Sequence, residues 1–177
     1  MSLRIYGNRP LKTLPGQETR PTLARVREAV FNIWQGSIEQ CRWLDLCTGS
    51  GSMAAEALCR GASRVIGIEQ SAPACRIIEQ NWKQVAQSDQ SYQVLRGDVV
   101  KRLANLSGQQ FDLIYFDPPY DSQLYVPVLS AIATLDLLAP DGELAAEHRP
   151  GATFDIPLTI VRQKRYGNTA LTFYQTP

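Results

Sequence analysis

The chain has 177 residues, a formal net charge of +1, 44% hydrophobic residues and 20% charged residues. These values exclude intrinsic disorder and low-complexity scaffolds, and the length predicts one domain with room for a small appendage. No apolar run approaches the ~20 residues of a membrane-spanning helix, and the first residues lack the apolar core of a signal peptide. We therefore expect a soluble, cytoplasmic protein with no membrane partner. We also expect a monomer, although no sequence pattern specifies the oligomeric state.

The charge is unevenly distributed along the chain. Residues 1–27 hold six basic residues and one acidic residue, whereas the other 150 residues hold 12 basic and 16 acidic residues. Near-neutrality therefore hides a basic N-terminal segment and an acidic remainder, and a basic segment can bind a polyanion. We predict a basic N-terminal arm and helix over residues 1–40 and a second domain over residues 41–177.

Cysteine and histidine usage argues against a metal site. None of the four cysteines forms a Cys-x-x-Cys pair, and His148 is the only histidine. The cysteines are Cys41, Cys47, Cys59 and Cys75. We expect them to be reduced and mostly buried, with no bound metal, because their spacing matches no zinc-site pattern. A single histidine also disfavours Ser-His-Asp and Cys-His catalysis, and we expect His148 to be a strand-end residue.

The N-terminal arm combines turn residues with a helical pattern. Ile5-Tyr6 and residues 11–14 flank Gly7-Asn8 and predict a short hairpin. Apolar residues then recur at a spacing of three to four and predict an amphipathic helix over about 22–35.

From residue 42 onward, short apolar runs alternate with helical segments. The predicted strands are 43–46, 64–69, 92–96, 111–116 and 143–148, and the predicted helices are about 52–60, 72–87, 99–106 and 122–137. Such βαβ units form a parallel sheet with helices on both faces. Residues 159–162 and 171–174 flank Arg165-Tyr166-Gly167-Asn168-Thr169 and predict a C-terminal antiparallel hairpin. We therefore predict an α/β, Rossmann-like fold with a mostly parallel sheet.

A glycine-containing turn follows the first strand of this unit. It begins at Asp45 and contains Thr48, Gly49 and Gly51 before the next predicted helix. Glycines in such a βα turn let the backbone approach a ligand closely. The turn is not a P-loop because no Gly-Lys-Ser/Thr follows.

Acidic residues stand at or near the ends of consecutive predicted strands. Glu69 ends the second strand, Asp98 follows the third, and Asp117 follows the fourth. Ligands of open α/β sheets bind outside the carboxyl ends of the strands. Glu69 is placed to accept hydrogen bonds from ribose hydroxyls, and Asp98 from an adenine amino group.

The sequence Asp117-Pro118-Pro119-Tyr120 directly follows the most apolar strand. The two prolines stiffen the backbone, so the Asp117 carboxylate and the Pro118 carbonyl can face one point. Two acceptors suit a substrate amino group, and they would aim its lone pair at an electrophile. Tyr120 offers a ring on which a base can stack.

With these motifs in order and spacing, the chain resembles the class I S-adenosylmethionine-dependent methyltransferases. A narrower resemblance, to the RsmD-like family, covers essentially the whole chain. It rests on Arg20 to Phe31, Gly49-Ser50-Gly51, Glu56-Ala57-Leu58 with Arg60-Gly61-Ala62, and Arg165-Tyr166-Gly167-Asn168-Thr169. This family methylates the N2 amine of a guanine in small-subunit ribosomal RNA, so the resemblance implies S-adenosylmethionine as cofactor and ribosomal RNA or the small-subunit particle as partner.

The resemblance also implies roles for individual residues. The cofactor-binding residues would be Asp45, Thr48, Gly49, Gly51, Glu69, Gln70, Asp98, Val99 and Asp117. The target amine would be gripped by Asp117, Pro118, Pro119 and Tyr120. The RNA would be contacted by Arg4, Arg9, Lys12, Arg20, Thr22, Arg25 and Arg27.

Three alternatives remain open from the residues alone. Related motifs serve DNA adenine or cytosine amino-methylation, but about 40 residues outside the core are too few for a separate sequence reader. Methylation of a protein side-chain amide usually uses Asn in place of Asp117. A non-catalytic RNA-binding module with the same fold is disfavoured by the intact Gly49, Gly51, Glu69 and Asp117.

Overall fold

The computed structural model describes residues 3–14 and 21–177. Its strands in chain order are β1 (Leu3–Ile5), β2 (Arg9–Leu11), β3 (Arg42–Leu46), β4 (Arg64–Glu69), β5 (Ser91–Arg96), β6 (Phe111–Phe116), β7 (Leu138–His148), β8 (Thr159–Tyr166) and β9 (Thr169–Gln175). Its helices are α1 (Pro21–Ile33), α2 (Ser52–Cys59), α3 (Ala72–Val85), α4 (Val99–Ala104) and α5 (Tyr125–Thr134).

Seven strands form one sheet in the order β5-β4-β3-β6-β7-β9-β8. Neighbouring strands from β5 to β7 pair in parallel, whereas β9 is antiparallel to both β7 and β8. This arrangement confirms the predicted parallel sheet and C-terminal antiparallel hairpin. The strand order reverses between β3 and β6, and ligands of open α/β sheets bind outside the carboxyl ends of the strands at such a switch point.

Helices cover both faces of the sheet and create two apolar cores. On one face, Val30, Trp43 and Trp82 pack with the N-terminal strand residues Leu3 and Leu11. On the other face, residues of α4 and α5 pack against β3, β6 and β7. Because the arm contributes buried residues to the first core, it packs on the domain rather than extending from it. The division of the chain into an arm over residues 1–40 and a domain over residues 41–177 stays a prediction.

Three predicted boundaries differ from the structure. Helix α5, predicted to end at residue 137, ends at Thr134. It stops there because Asp136 adopts a left-handed φ of 52° and Leu138 then pairs with Phe111. That pairing starts β7 at Leu138 rather than near 143, with a register shift before Leu113. The N-terminal hairpin pairs Leu3–Ile5 with Arg9–Leu11, so its second strand precedes the predicted 11–14.

The C-terminal hairpin is tighter than predicted. Its strands continue to Tyr166 and from Thr169, so only Gly167 and Asn168 form the turn, with Gly167 at a φ of 62°. All four cysteines are free; Cys41 and Cys75 are buried, whereas Cys47 and Cys59 are half-buried. No helix within the described ranges is long and apolar enough to cross a membrane.

Candidate active site at the carboxyl edge of the sheet

The glycine turn follows β3 and has a backbone conformation that residues other than glycine rarely adopt. Cys47, Gly49 and Gly51 all have positive φ, at 62°, 60° and 77°. The Thr48 hydroxyl lies 2.9 Å from the Asp45 carbonyl oxygen and 3.1 Å from that of Ile68. These contacts fix the turn between the ends of β3 and β4.

Two side chains of helix α3 donate hydrogen bonds to backbone carbonyls of the glycine turn. The Trp82 indole N–H donates to the Gly51 carbonyl at 2.9 Å, and Asn81 Nδ2 donates to the Ser50 carbonyl at 3.0 Å. A Cβ at Gly51 would lie 2.7 Å from Trp82 Nε1. Glycine is therefore required at residue 51 both by backbone geometry and by packing. Sequence reasoning missed Asn81 and Trp82, which the helical periodicity marks only as parts of an amphipathic helix.

Glu69 lies beside the turn, as the strand-end pattern predicted. Its Oε2 accepts the Gly49 N–H at 2.9 Å, and its Oε1 accepts the Ser71 N–H at 2.8 Å. Two backbone donors therefore hold the carboxylate at the end of β4, next to the glycine turn. Gln70, the following residue, is exposed.

Asp98 and Val99 occupy the next strand end. Asp98 is exposed, and its Oδ1 accepts the Lys101 N–H at 3.0 Å, which caps α4. Val99 is buried as the first residue of that helix. The structure thus places Glu69 and Asp98 at neighbouring strand ends, where both can face one ligand.

Asp45 is buried beneath the glycine turn. Its Oδ2 accepts the Ala54 N–H in the first turn of α2 at 3.1 Å. Burial, opposed by that hydrogen bond and reinforced by the charge of Glu69, raises the pKa of Asp45 to about 8. Asp45 therefore ties the start of α2 to the end of β3.

The Asp117 loop, residues 117–120, follows β6 and lies beside the glycine turn that follows β3. The Asp117 N–H donates to the Leu46 carbonyl at 3.3 Å, which joins the ends of β6 and β3. Asp117 is half-buried, Pro118 is buried and Pro119 is exposed. Burial first, and then the charges of Glu147 and Asp45, raise the Asp117 pKa well above its ordinary value.

Carboxylates also surround the thiol between the two loops. Burial, followed by the charges of Glu69 and Asp117, raises the Cys47 pKa to about 12. The thiol is therefore protonated at neutral pH and is not a nucleophile.

A buried glutamate organises the far side of the Asp117 loop. Glu147 is 1% exposed; its Oε2 accepts from the Tyr115 hydroxyl at 2.7 Å and its Oε1 from the Tyr120 hydroxyl at 2.6 Å. The Tyr120 hydroxyl also lies 2.8 Å from Thr169 Oγ1. Sequence reasoning missed Glu147 and Thr169 as site residues. The one available signal for Glu147 was an acidic residue within the apolar end of a predicted strand.

His148 faces the opposite side of the sheet. It is buried, with Nε2 2.7 Å from Thr172 Oγ1 and Nδ1 2.8 Å from the Arg149 carbonyl oxygen. Both ring nitrogens are engaged in structural hydrogen bonds, which confirms a strand-end residue. Among residues 3–14 and 21–177, no group of three His, Cys, Asp or Glu side chains could hold a metal ion.

The structure corrects one predicted RNA contact. Arg27 is buried, its Nε donates to Glu56 Oε2 at 2.8 Å, and its Nη2 donates to the Arg4 carbonyl at 2.7 Å. A guanidinium enclosed by these partners anchors α1 to α2 and to the arm, and it cannot also bind phosphate. We therefore leave Arg27 out of the proposed RNA surface.

The other basic positions divide by location. Arg4, Arg9, Lys12 and Arg25 are exposed. Arg9 contacts Cys59 at the last turn of α2, towards the amino edge of the sheet and away from the Asp117 loop. Arg20 and the side chain of Thr22 lie outside the described part of the chain, so their predicted roles stay predictions.

The strand order and the two facing loops define a Rossmann-like methyltransferase domain. A solved Escherichia coli protein, yhhF, provisionally named a methyltransferase, shares this fold with a TM-score of 0.86 and 27% identity, covering 99% of this chain and 98% of that one. The provisionally named methylase HI0767 from Haemophilus influenzae gives a TM-score of 0.82 at 26% identity, with 99% of both chains covered.

Sequence comparison narrows the class to a family. The family model described as Conserved hypothetical protein 95 matches residues 3–175, and the chain belongs to this family, the RsmD family of ribosomal RNA methyltransferases. YlbH of Bacillus subtilis, provisionally named an rRNA methyltransferase, is 32% identical over 94% of this chain and 93% of its own. The Haemophilus influenzae ribosomal RNA small subunit methyltransferase D is 27% identical over 97% and 90%.

Proposed function

We propose that this protein transfers a methyl group from S-adenosylmethionine to the exocyclic N2 amine of a guanine in small-subunit ribosomal RNA. The observation that carries the proposal is the Asp117 loop held against the glycine turn by the bond from the Asp117 N–H to the Leu46 carbonyl. It brings acceptors for an amine beside a turn suited to a cofactor. The names of the sequence relatives support ribosomal RNA as the substrate class.

The residues at the strand ends fit the cofactor. A Cβ at Gly49 would meet no atom within 4 Å, so space is open above the turn. Gly49 and Gly51 would lie along the methionine moiety, with Thr48 and Asp45 supporting the turn. Glu69 would accept hydrogen bonds from the ribose hydroxyls, beside Gln70, and Asp98 with Val99 would meet the adenine. When bound, S-adenosylmethionine supplies a methyl group already activated by a sulfonium.

The chain's own task is to position the target amine. An exocyclic base amine is a poor nucleophile because its lone pair is delocalised into the ring. The Asp117 carboxylate and the Pro118 carbonyl would each accept one N–H of the amine, which favours pyramidal nitrogen and directs the lone pair. As the new N–C bond forms at the expense of the methyl–sulfur bond, which leaves a neutral thioether, positive charge develops on nitrogen, and Asp117 would stabilise it.

Asp117 would also receive the proton that the methylated nitrogen releases late in the reaction. Burial and the Glu147 charge raise the Asp117 pKa, which makes its carboxylate a better proton acceptor than an exposed aspartate. The ionised form of Asp117 is therefore the active form.

Recognition of the RNA requires an unpaired or flipped guanine. In a helix, base pairing occupies one N–H of the target amine, and stacked neighbours cover the ring face from which its lone pair reacts. Tyr120 would stack on the extruded base. The exposed side chains of Arg4, Lys12 and Arg25 would contact phosphates, together with Arg20 and Thr22; Arg9 would contact phosphates farther from the target base.

Two measurements test this proposal. Saturating S-adenosylmethionine should raise the thermal unfolding midpoint, because a ligand that binds only the folded state stabilises it. A labelled-methyl assay should then show transfer to ribosomal RNA or small-subunit particles and none to DNA or to protein side-chain amides. The absence of a thermal shift would refute the cofactor assignment, and label in DNA or protein would refute the substrate.

A further inference from the structure

The hydroxyl of Tyr120 is bound by two side chains that lie far from it in sequence. Glu147 Oε1 accepts its hydrogen at 2.6 Å, and Thr169 Oγ1 lies 2.8 Å away. Glu147 comes from the end of β7, and Thr169 is the first residue of β9, directly after the hairpin turn. Arg149 adds a third contact, with its guanidinium carbon 5.7 Å from the Tyr120 ring centroid.

We propose that Glu147 and Thr169 are positioning residues that hold the Tyr120 ring in the position where the target base stacks on it. The C-terminal hairpin thereby becomes part of the target-base site. This inference rests on the proposed function, since it assigns the hydroxyl and the ring face beside Arg149 to the protein and the opposite ring face to the substrate.

The arrangement leaves little freedom for the ring. A tyrosine on a loop can rotate about two side-chain bonds, and the two hydrogen-bond partners at its hydroxyl restrict rotation about the Cα–Cβ bond, which moves the ring. The hydroxyl oxygen lies on the axis of the Cβ–Cγ bond, so its partners favour one ring plane only through the preference of the phenolic O–H to lie in that plane. Glu147 is itself fixed, because its second oxygen accepts the Tyr115 hydroxyl and its backbone carbonyl accepts the Tyr125 hydroxyl at 3.0 Å. A buried carboxylate needs such partners. The position of the Tyr120 ring is thus determined by β7 and β9.

Thr169 is the more informative residue to change. Glu147 is almost completely buried and holds three tyrosines, so its loss could disturb folding. Thr169→Val keeps the shape and the β propensity of the side chain and removes only the hydroxyl. Thr172→Val is a matched control, because Thr172 is a buried threonine of the same strand whose hydroxyl serves His148 and Gln163 on the opposite face.

We expect Thr169→Val to lower kcat on the RNA substrate about two- to ten-fold, the effect of one lost hydrogen bond, with KM for S-adenosylmethionine unchanged. Thr169→Ser should restore kcat, and Thr172→Val should lower stability comparably without lowering kcat. In a Tyr120→Phe background, Thr169→Val should have no further effect, because its partner hydroxyl is already gone. Additive losses, or an equal kcat loss in Thr172→Val, would refute the positioning role.

A second readout does not depend on activity. In protein labelled with ring-13C tyrosine, Tyr120→Phe identifies the Tyr120 signal among the seven tyrosines. Thr169→Val should shift that signal and Thr172→Val should not; an unmoved signal contradicts the inference. A wild-type protein inactive on ribosomal RNA would refute the proposed function and this role with it. Wild-type activity that Thr169→Val leaves unchanged would refute the role alone.

Discussion

The two halves of the active-site edge are built by different means. At the ends of β3 and β4, the proposed cofactor half is fixed by backbone hydrogen bonds, positive φ angles and glycine packed against Trp82. At the ends of β6, β7 and β9, the proposed target half is fixed by side-chain hydroxyls around the buried Glu147. The cofactor half therefore tolerates little change at its glycines, whereas in the target half side-chain groups alone, a buried carboxylate and hydroxyls, hold distant residues together.

The largest effect should come from Asp117, where the two halves meet. Asp117→Asn keeps the size of the side chain but removes the charge that balances the developing positive nitrogen. We expect methyl transfer to fall by about 10²- to 10³-fold. The thermal stabilisation by S-adenosylmethionine should be largely retained, since the other strand-end residues are intact. Full activity of this variant in the labelled-methyl assay would contradict the role assigned to Asp117.

Gly51 tests how rigid the cofactor half is. Gly51→Ala combines a left-handed backbone with a clash against Trp82, and should cost about 1–3 kcal/mol of unfolding free energy beyond backbone strain. Gly108→Ala is the control, because Gly108 has a φ of 81° but open space around its Cβ position, so it should lose only the strain, about 1–2 kcal/mol. Denaturant unfolding measures both. Equal losses of unfolding free energy in the two variants would show that the clash with Trp82 does not destabilise the protein.

Arg25 and Arg27 of α1 lie outside the two halves. We expect Arg27 to stabilise the fold and Arg25 to bind RNA. Arg27→Ala should destabilise the fold by about 3 kcal/mol, because it leaves Glu56 buried with only Arg60 as partner. Arg25→Ala, at an exposed position, should change stability by less than about 0.5 kcal/mol.

The same pair should differ in the opposite direction when RNA is bound. Arg25→Ala should reduce the salt dependence of RNA affinity by a slope of about 1, as expected for one lost phosphate contact. Arg27→Ala, measured below its unfolding range, should leave that slope unchanged. A reduced slope in Arg27→Ala would return Arg27 to the RNA surface.

The smallest effect concerns the pH dependence of the target half. Because Asp117 must be ionised and its pKa is raised, kcat should increase with pH through a midpoint above the ordinary aspartate range of about 4. The Glu147 charge contributes to that shift, so Glu147→Gln should move the midpoint to lower pH. A pH profile of single-turnover rates measures it. A midpoint that stays in place or rises would contradict the electrostatic coupling of the two carboxyls.

The two halves also differ in how much of each could be predicted from the sequence. The glycine turn, Glu69 and the Asp117 loop lie within short segments whose spacing matches alternating strands and helices, so their meeting at one edge followed from parallel topology. The contacts of Glu147 with Tyr120 and of Thr169 with Tyr120 join residues 27 and 49 positions apart. No local pattern specifies such pairs, because they depend on the register of β7 against β6 and β9.

Arg27 and α5 show the same limit. The charge pattern of α1 placed Arg27 with the exposed arginines, since Glu56, its buried partner, lies on another helix. The predicted helix after residue 122 continued past the true end of α5, because the left-handed Asp136 and the pairing of Leu138 with Phe111 end the helix in the structure. Periodicity predicts elements, but their ends and partners depend on tertiary contacts.

The most direct test of the account is the identity of the methylated nucleoside. Unmethylated small-subunit ribosomal RNA or particles would be incubated with the protein and deuterated-methyl S-adenosylmethionine, digested to nucleosides and analysed by mass spectrometry, with Asp117→Asn as control. We expect label in N2-methylguanosine with the wild-type protein and almost none with the variant. Label in any other nucleoside, or equal label with Asp117→Asn, would contradict it.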